Sequence, residues 1–161
     1  MKIRETLPQD LDAALALNNA NVPEVNELDA AGLARLVSLS IVSLTAEVDG
    51  QFAGNCIVLP PGIDYGSLNY SWFSRNYAHF AYLDRIAVHS DFRRYGIGRG
   101  FYADLVERFR GHYPVLLCEV NVRPMNEPSV KFHERIGFVE VGQQDTDGGN
   151  KTVSLLELRL V

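Results

Sequence analysis

The sequence predicts a mixed α/β fold, a central sheet flanked by helices in the order βααβββαβαββ. Three observations carry that expectation. Runs that alternate with period two stand beside runs whose apolar residues recur every three or four positions. The pair Asp49-Gly50 joins two strand-like runs, as a type I′ hairpin turn does. No repeat, low-complexity tract or Pro/Ser-rich linker divides the chain, so residues 1–161 read as a single domain.

From the start, IRETLP reads as a short strand, and DLDAALALNN as a helix with Asp10 as its start signal and Leu11, Ala14 and Leu15 as its apolar stripe. Pro23 closes that region, and Leu33, Leu36 and Val37 give a second short helix. The hairpin IVSLTAEVDGQFAGNCIVLP follows. Residues 60–77 break into turn-rich sequence that still holds Tyr65, Tyr70, Trp72, Phe73 and Tyr77, which predicts a long loop with sticky side chains. FAYLDRIAVHS is a central strand, and RRYGIGRGFYADLVERFR a glycine turn entering a helix with Phe101, Leu105, Val106 and Phe109 on one face. PVLLCEVNV is a buried strand. NEPSVKFHERIGF is a helix with Pro128 in its first turn and Gly137 at its C-terminal end. FVEVGQQ and TVSLLELRLV close the sheet, joined by DTDGGN.

Fifteen Lys plus Arg against 20 Asp plus Glu give a net charge of -5, which lacks the general footprint of a nucleic-acid binder. No apolar run approaches the roughly 18 residues of a membrane helix, and MKIRETLPQD is unlike a signal peptide, so no membrane partner and a cytoplasmic location are expected. Cys56 and Cys118 lie alone in apolar runs without zinc-ligand spacing, and read as buried thiols rather than a disulfide or metal site. Positive charge is nonetheless local: Arg85, Arg93, Arg94 and Arg99 all fall between Asp84 and Arg99, a stretch whose only carboxylates are Asp84 and Asp91.

In the same stretch a strand, a loop with Gly96 and Gly98, and a helix follow in direct succession. Such a loop aims consecutive N–H groups into one concavity at a helix N-terminus, which favours phosphate; a tight strand-to-helix turn is the plainer alternative. No GK[ST] follows, which excludes a nucleotide P-loop, and Phe101 stands where the dinucleotide fingerprint wants a third Gly or Ala.

Arg93, Arg94, Tyr95, Gly96, Ile97 and Gly98 resemble the R/Q-x-x-G-x-G/A signature of the GNAT superfamily of acyl-CoA-dependent N-acyltransferases. Asn126, Ser129, Phe132, His133, Gly137 and Phe138 resemble that family's second motif, N-x-x-S-x-x-F-Y-x-x-x-G-F, with His133 at the tyrosine position. The likeness is good from Ala81 to Phe138 and rests on element order alone before that. It implies a mixed, mostly antiparallel sheet and acetyl-CoA as acyl donor, with no metal. The diphosphate would lie on the amides from Arg94 to Arg99, including those of Gly96, Ile97 and Gly98, with Arg93, Arg94 and Arg99 adding charge. Ile86 and Val88 would pair with the pantetheine arm through main chain, and Asn126 would face the same arm. The acceptor would be a small-molecule or peptide amine, attacked directly in a ternary complex, and the resemblance together with the aromatic surface admits a homodimer.

That chemistry needs a neutral amine, a polarised carbonyl and a proton for the departing thiolate. A lysine-type amine costs about 4 to 5 kcal/mol to neutralise at pH 7, an α-amine about 1 to 2. Asp84, which alternation places with Phe80, Tyr82, Ile86 and Val88, is the leading base; the alternative is that it merely balances Arg85. Glu119, opposite the apolar face of Leu116, Cys118, Val120 and Val122, is a second base or a solvated glutamate. His133 either protonates the thiolate in place of tyrosine or is a helix-surface residue while water does so. The aromatic stretch either caps the acceptor, covers the core or meets a second copy; Asn18, Asn19, Asn21 and Glu24 are a substrate wall or a plain loop. The rival from another class is an acyl-CoA-binding module without efficient catalysis, and a third reading is a nucleotide-binding protein of different chemistry.

Overall fold

The structure is a computed structural model that describes all residues from Met1 to Val161. In chain order the elements are β1 (Lys2–Glu5), a 3-10 turn (Pro8–Asp10), α1 (Leu11–Ala20), α2 (Ala30–Leu39), β2 (Val42–Val48), β3 (Gln51–Leu59) and α3 (Leu68–Asn76). There follow β4 (Ala81–Val88), a 3-10 turn (Ser90–Tyr95), α4 (Ile97–Phe109), β5 (Val115–Arg123), α5 (Glu127–Ile136), β6 (Val139–Thr146), a 3-10 turn (Asp147–Gly149) and β7 (Lys151–Arg159). The strands form a seven-stranded sheet of order β1-β2-β3-β4-β5-β7-β6, mostly antiparallel as expected, with β4 and β5 parallel. The chain forms two compact units, Met1–Leu59 with Leu83–Glu107, and Pro60–Tyr82 with Arg108–Val161.

In the first unit β1 pairs with β2 in the register Ile3↔Ala46, and β2 with β3 in the register Thr45↔Asn55. Asp49 and Gly50 adopt φ of 51° and 77°, the two left-handed residues that a type I′ turn requires. Leu44, Ala46, Ala53, Ile57 and Leu59 are fully enclosed, as are Phe101 and Leu105 of α4, and Leu33 and Leu36 of α2 are buried with them. Gly100 is a packing glycine: a Cβ there would sit 2.9 Å from Ile3 Cδ1 and 3.2 Å from Met1 Cε. Asp10 does not cap α1 as the sequence suggests, because a stronger partner claims its carboxylate. Arg4 grips it with two bonds of 2.7 and 2.9 Å, and the same guanidinium reaches Glu47 at 2.7 Å. The Arg4 hydrogen bonds hold Asp10 below the usual carboxylate range against the opposing effect of burial.

In the second unit β5 pairs with β7 (Leu116↔Leu158) and β7 with β6, where Val141 forms a bulge between Glu140 and Gly142. The sequence reading of residues 60–77 as an unbroken loop is corrected here. Ser67 accepts a hydrogen bond from Tyr70 N at 3.2 Å and starts helix α3, so the element order gains a helix between β3 and β4. The aromatic side chains of this stretch mostly turn inward. Tyr70 and Phe73 are buried, their rings 5.5 and 5.6 Å from that of Tyr82. Trp72 lies against β6, where a Cβ on Gly142 would come within 2.7 Å of the indole. Helix α5 carries Pro128 in its first turn and ends at Gly137 with φ 113°, as its sequence predicts, and the structure adds Asn126 as its N-terminal cap. Cys56 and Cys118 are buried and form no disulfide.

Candidate active site

Strand β4 changes character along its length. Ala81, Tyr82 and Leu83 are buried, whereas Asp84 to Val88 are only half-buried. Strand β3 covers one edge of this stretch: His89 N donates to Ala53 O at 2.8 Å, and a Cβ on Gly54 would come within 2.6 Å of Ala87 O. Gly54 is therefore the residue that lets β3 approach, a role that an isolated glycine inside a strand signals and that the sequence reading passes over. Since Ala87 and His89 face β3, alternation turns the N–H and C=O groups of Ile86 and Val88 to the other edge. That is the orientation a main-chain partner in extended form needs.

Beyond β4 the 3-10 turn ends at Gly96, whose φ of 68° lies in the left-handed region, while nothing stands within 4 Å of where a Cβ would sit. The glycine is thus required by backbone conformation rather than by crowding. Gly100 N bonds to Gly96 O at 2.9 Å, the first turn of α4, so the N–H groups of Ile97, Gly98 and Arg99 lack intrahelical acceptors. Thirteen residues of helix place their positive pole at this point. Arg93, Arg94 and Arg99 stand exposed around it and form no ion pair, while the side chain of Asp91 lies 3.8 Å from His89. Free amides, a helix pole and unneutralised guanidinium groups are what a diphosphate fits. Beside the turn a cleft of about 460 Å³ opens among Ala13, Leu17, Phe52, Val88, His89 and Arg93.

The carboxylate favoured as base is not presented alone. Asp84 Oδ2 accepts from Arg85 Nε at 3.0 Å, with the two side chains 6% and 11% exposed. Arg85 Nη1 donates in turn to Asn18 Oδ1 at 2.7 Å and Asn26 O at 3.0 Å. Of the two readings weighed for Asp84, the geometry supplies the ion pair.

The second unit holds Glu119, Asn126 and His133. The half-buried Glu119 carboxylate receives the hydroxyl of Tyr82 at 2.8 and 2.9 Å from its two oxygens. Tyr82 itself is fully enclosed. Alternation along the sequence puts Tyr82 on the right face of its strand but gives it no role. Only the register Tyr82↔Leu117 between β4 and β5 reveals that Glu119, two residues on, is within its reach. Asn126 Oδ1 is engaged with Ser129 N at 3.4 Å, as the α5 cap. His133 is not on the helix surface, as one reading of the sequence has it, but 5% exposed, between the rings of Phe132 and Phe138, each 5.4 Å away. Its Nδ1 donates to Ser129 O at 2.7 Å, which fixes the neutral tautomer with the proton on Nδ1. Burial pushes its pKa below the ordinary 6.5, with the Ser129 bond acting in the opposite direction. No group of three or more His, Cys, Asp or Glu side chains is placed to hold a metal ion, and no helix is long and apolar enough to cross a membrane.

A strand edge with outward main-chain groups, running into a glycine-turned helix pole ringed by arginine, is an arrangement that suits an extended ligand ending in phosphate. The Acetyltransferase (GNAT) family pattern matches residues 21–138, and the chain belongs to that family. It is an N-acetyltransferase, and acetyl-CoA is the family's acyl donor. An N-alpha-acetyltransferase of Sulfurisphaera tokodaii is 26% identical over 140 residues, covering 87% of this chain and 81% of the relative. Among solved structures, the ribosomal-protein-alanine N-acetyltransferase of Brucella melitensis superposes with a TM-score of 0.76 at 24% identity, over 99% of this chain and 100% of that one. YncA of Salmonella typhimurium, solved with its cofactor acetyl-CoA, gives 0.73 at 18% identity, over 100% and 94%.

Proposed function

We propose that this N-acetyltransferase acetylates the α-amine of a peptide or protein. The observation that carries the donor half of this reading is the cradle: Gly96 in the left-handed region, the open amides of Ile97, Gly98 and Arg99, and three exposed arginines without carboxylate partners. These residues, with the main chain of Ile86 and Val88, would hold acetyl-CoA, which supplies the activated thioester. Asn126 is the candidate for a further polar contact from the start of α5. The likeness to an N-alpha-acetyltransferase over 87% of the chain supports the acceptor half. An α-amine near pKa 8 also needs only about 1 to 2 kcal/mol to shed its proton at pH 7, within the means of one carboxylate.

Glu119 is our candidate for that carboxylate, in place of Asp84. Both of its oxygens lie within hydrogen-bond reach of the neutral Tyr82 hydroxyl, whereas Asp84 is engaged by the Arg85 cation, which disfavours taking up a proton. We assign His133 to positioning rather than to proton donation. Its one N–H is spent on Ser129 O, and burial disfavours the imidazolium that would be needed to protonate a thiolate.

The test is direct. The protein is incubated with acetyl-CoA and peptides bearing free or blocked N-termini, while released thiol and acetylated product are measured. Release that requires a free α-amine supports the reading. Tight binding of acetyl-CoA with no amine-dependent release would instead support a binding module, and release with lysine side chains alone would move the acceptor class.

A further inference from the structure

We propose that Asp84 and Arg85 act as a strut that sets the loop between α1 and α2, residues 21–29, and through it the binding of the amine acceptor. The inference rests on the reading of this chain as an acetyl-CoA-dependent enzyme with its diphosphate at the α4 cradle.

The loop has little packing of its own. Val22, Pro23, Glu24, Asn26 and Glu27 are exposed, so its conformation depends on polar contacts to its backbone. Asn26 O receives Arg85 Nη1 at 3.0 Å and Asn18 Nδ2 at 3.0 Å. Asn19 holds Leu28 by both main-chain groups, accepting from its N at 3.0 Å and donating to its O at 2.9 Å. The buried Asn18 joins the two clamps, since its Nδ2 also donates to Asn19 Oδ1 at 3.0 Å while its Oδ1 takes the Arg85 bond of 2.7 Å. Arg85 is thus the point at which strand β4 grips the loop. Asp84 offsets its charge and fixes the plane of its guanidinium through the Nε bond.

The direction of the strand says what the loop is for. From the cradle, β4 runs back through Val88 and Ile86, whose outward main chain suits the pantetheine arm, and reaches Arg85 and Asp84 next. The thioester end of the arm therefore lies toward Asp84, and within this unit the segment tied to the strand there is the α1–α2 loop. An acceptor nitrogen has to come to that end.

Steady-state kinetics of Arg85→Lys and Asp84→Asn distinguish a strut from a base. Lysine keeps the charge opposite Asp84 but loses the fork that reaches Asn18 and Asn26 together. The expected result is a rise of about tenfold in acceptor KM, the scale of one lost hydrogen bond to a charged group, with acetyl-CoA KM and kcat within about twofold. Amides of residues 21–29 should exchange faster in both variants, and the acid limb of the pH profile should stay in place for Asp84→Asn. Asn19→Ala loosens the same loop without touching the ion pair, and should raise acceptor KM by about threefold. Unmoved acceptor KM in these folded variants overturns the strut. So does Asp84→Asn if it abolishes turnover at saturating acceptor and removes the acid limb, since Asp84 is then the base. A wild-type protein that binds acetyl-CoA but acetylates no amine is a different failure, because it removes the functional reading and the loop's acceptor role with it.

Discussion

The proposed cofactor cradle and the Tyr82–Glu119 pair are built by opposite means. The cradle is main chain: a strand edge, one left-handed glycine and the first turn of a helix, with side chains contributing only exposed positive charge. The pair is all side chain, a buried phenol aimed at a half-buried carboxylate from a neighbouring strand. A site made of backbone tolerates substitution wherever φ and ψ are preserved. A site made of side chains tolerates change in its surroundings but none in its own atoms.

Four substitutions test that contrast, beginning with the largest effect. Glu119→Gln should lower kcat about a hundredfold or more, as loss of a general base does, and leave the acetyl-CoA dissociation constant unchanged in calorimetry. A variant with undiminished turnover would return the search to Asp84 or to water. Gly96→Val should do the reverse. A β-branched residue at φ 68° stores about 1 to 3 kcal/mol of strain, so acetyl-CoA affinity should fall roughly tenfold while kcat at saturation holds. Equal affinity in this variant would mean that the turn does not bind the diphosphate. Tyr82→Phe keeps the ring among Tyr70 and Phe73 and removes only the hydroxyl, with an expected loss of roughly threefold to tenfold in kcat.

The smallest effect concerns stability. Because burial lowers the His133 pKa in the folded state, the unfolded chain takes up its proton first as pH falls below 6.5. The His133 contribution is therefore present above pH 6.5 and declines below it until the folded pKa is passed. Thermal melts of the wild type should lose Tm over that range, and His133→Phe should flatten this part of the dependence. A variant with the same pH slope as wild type would show that His133 is not the group responsible.

How much of this is legible in the sequence follows from the range of the forces involved. The Asp49-Gly50 turn, the Gly96 turn and the Gly137 end of α5 are local: a residue type meets a φ value within a few positions, and the expectation and the structure agree. Helix α3 escapes the sequence reading because LNYSWFSRN mixes polar and aromatic residues without a clean stripe, and its Ser67 cap lies inside turn-like sequence. Asp10 misleads for the complementary reason, since a helix-start residue is claimed by Arg4 from a strand.

The sequence by itself determined the strand-glycine-helix succession, the basic cluster around it and the family likeness, because each depends on neighbours along the chain. Tertiary structure alone decided which carboxylate meets a cation and which meets a phenol. Asp84 and Glu119 look alike as acids in apolar strands, and their difference arises from partners whose positions are set by strand register and helix packing. Hydrogen bonds act over about 3 Å, and only folding brings such groups within that distance.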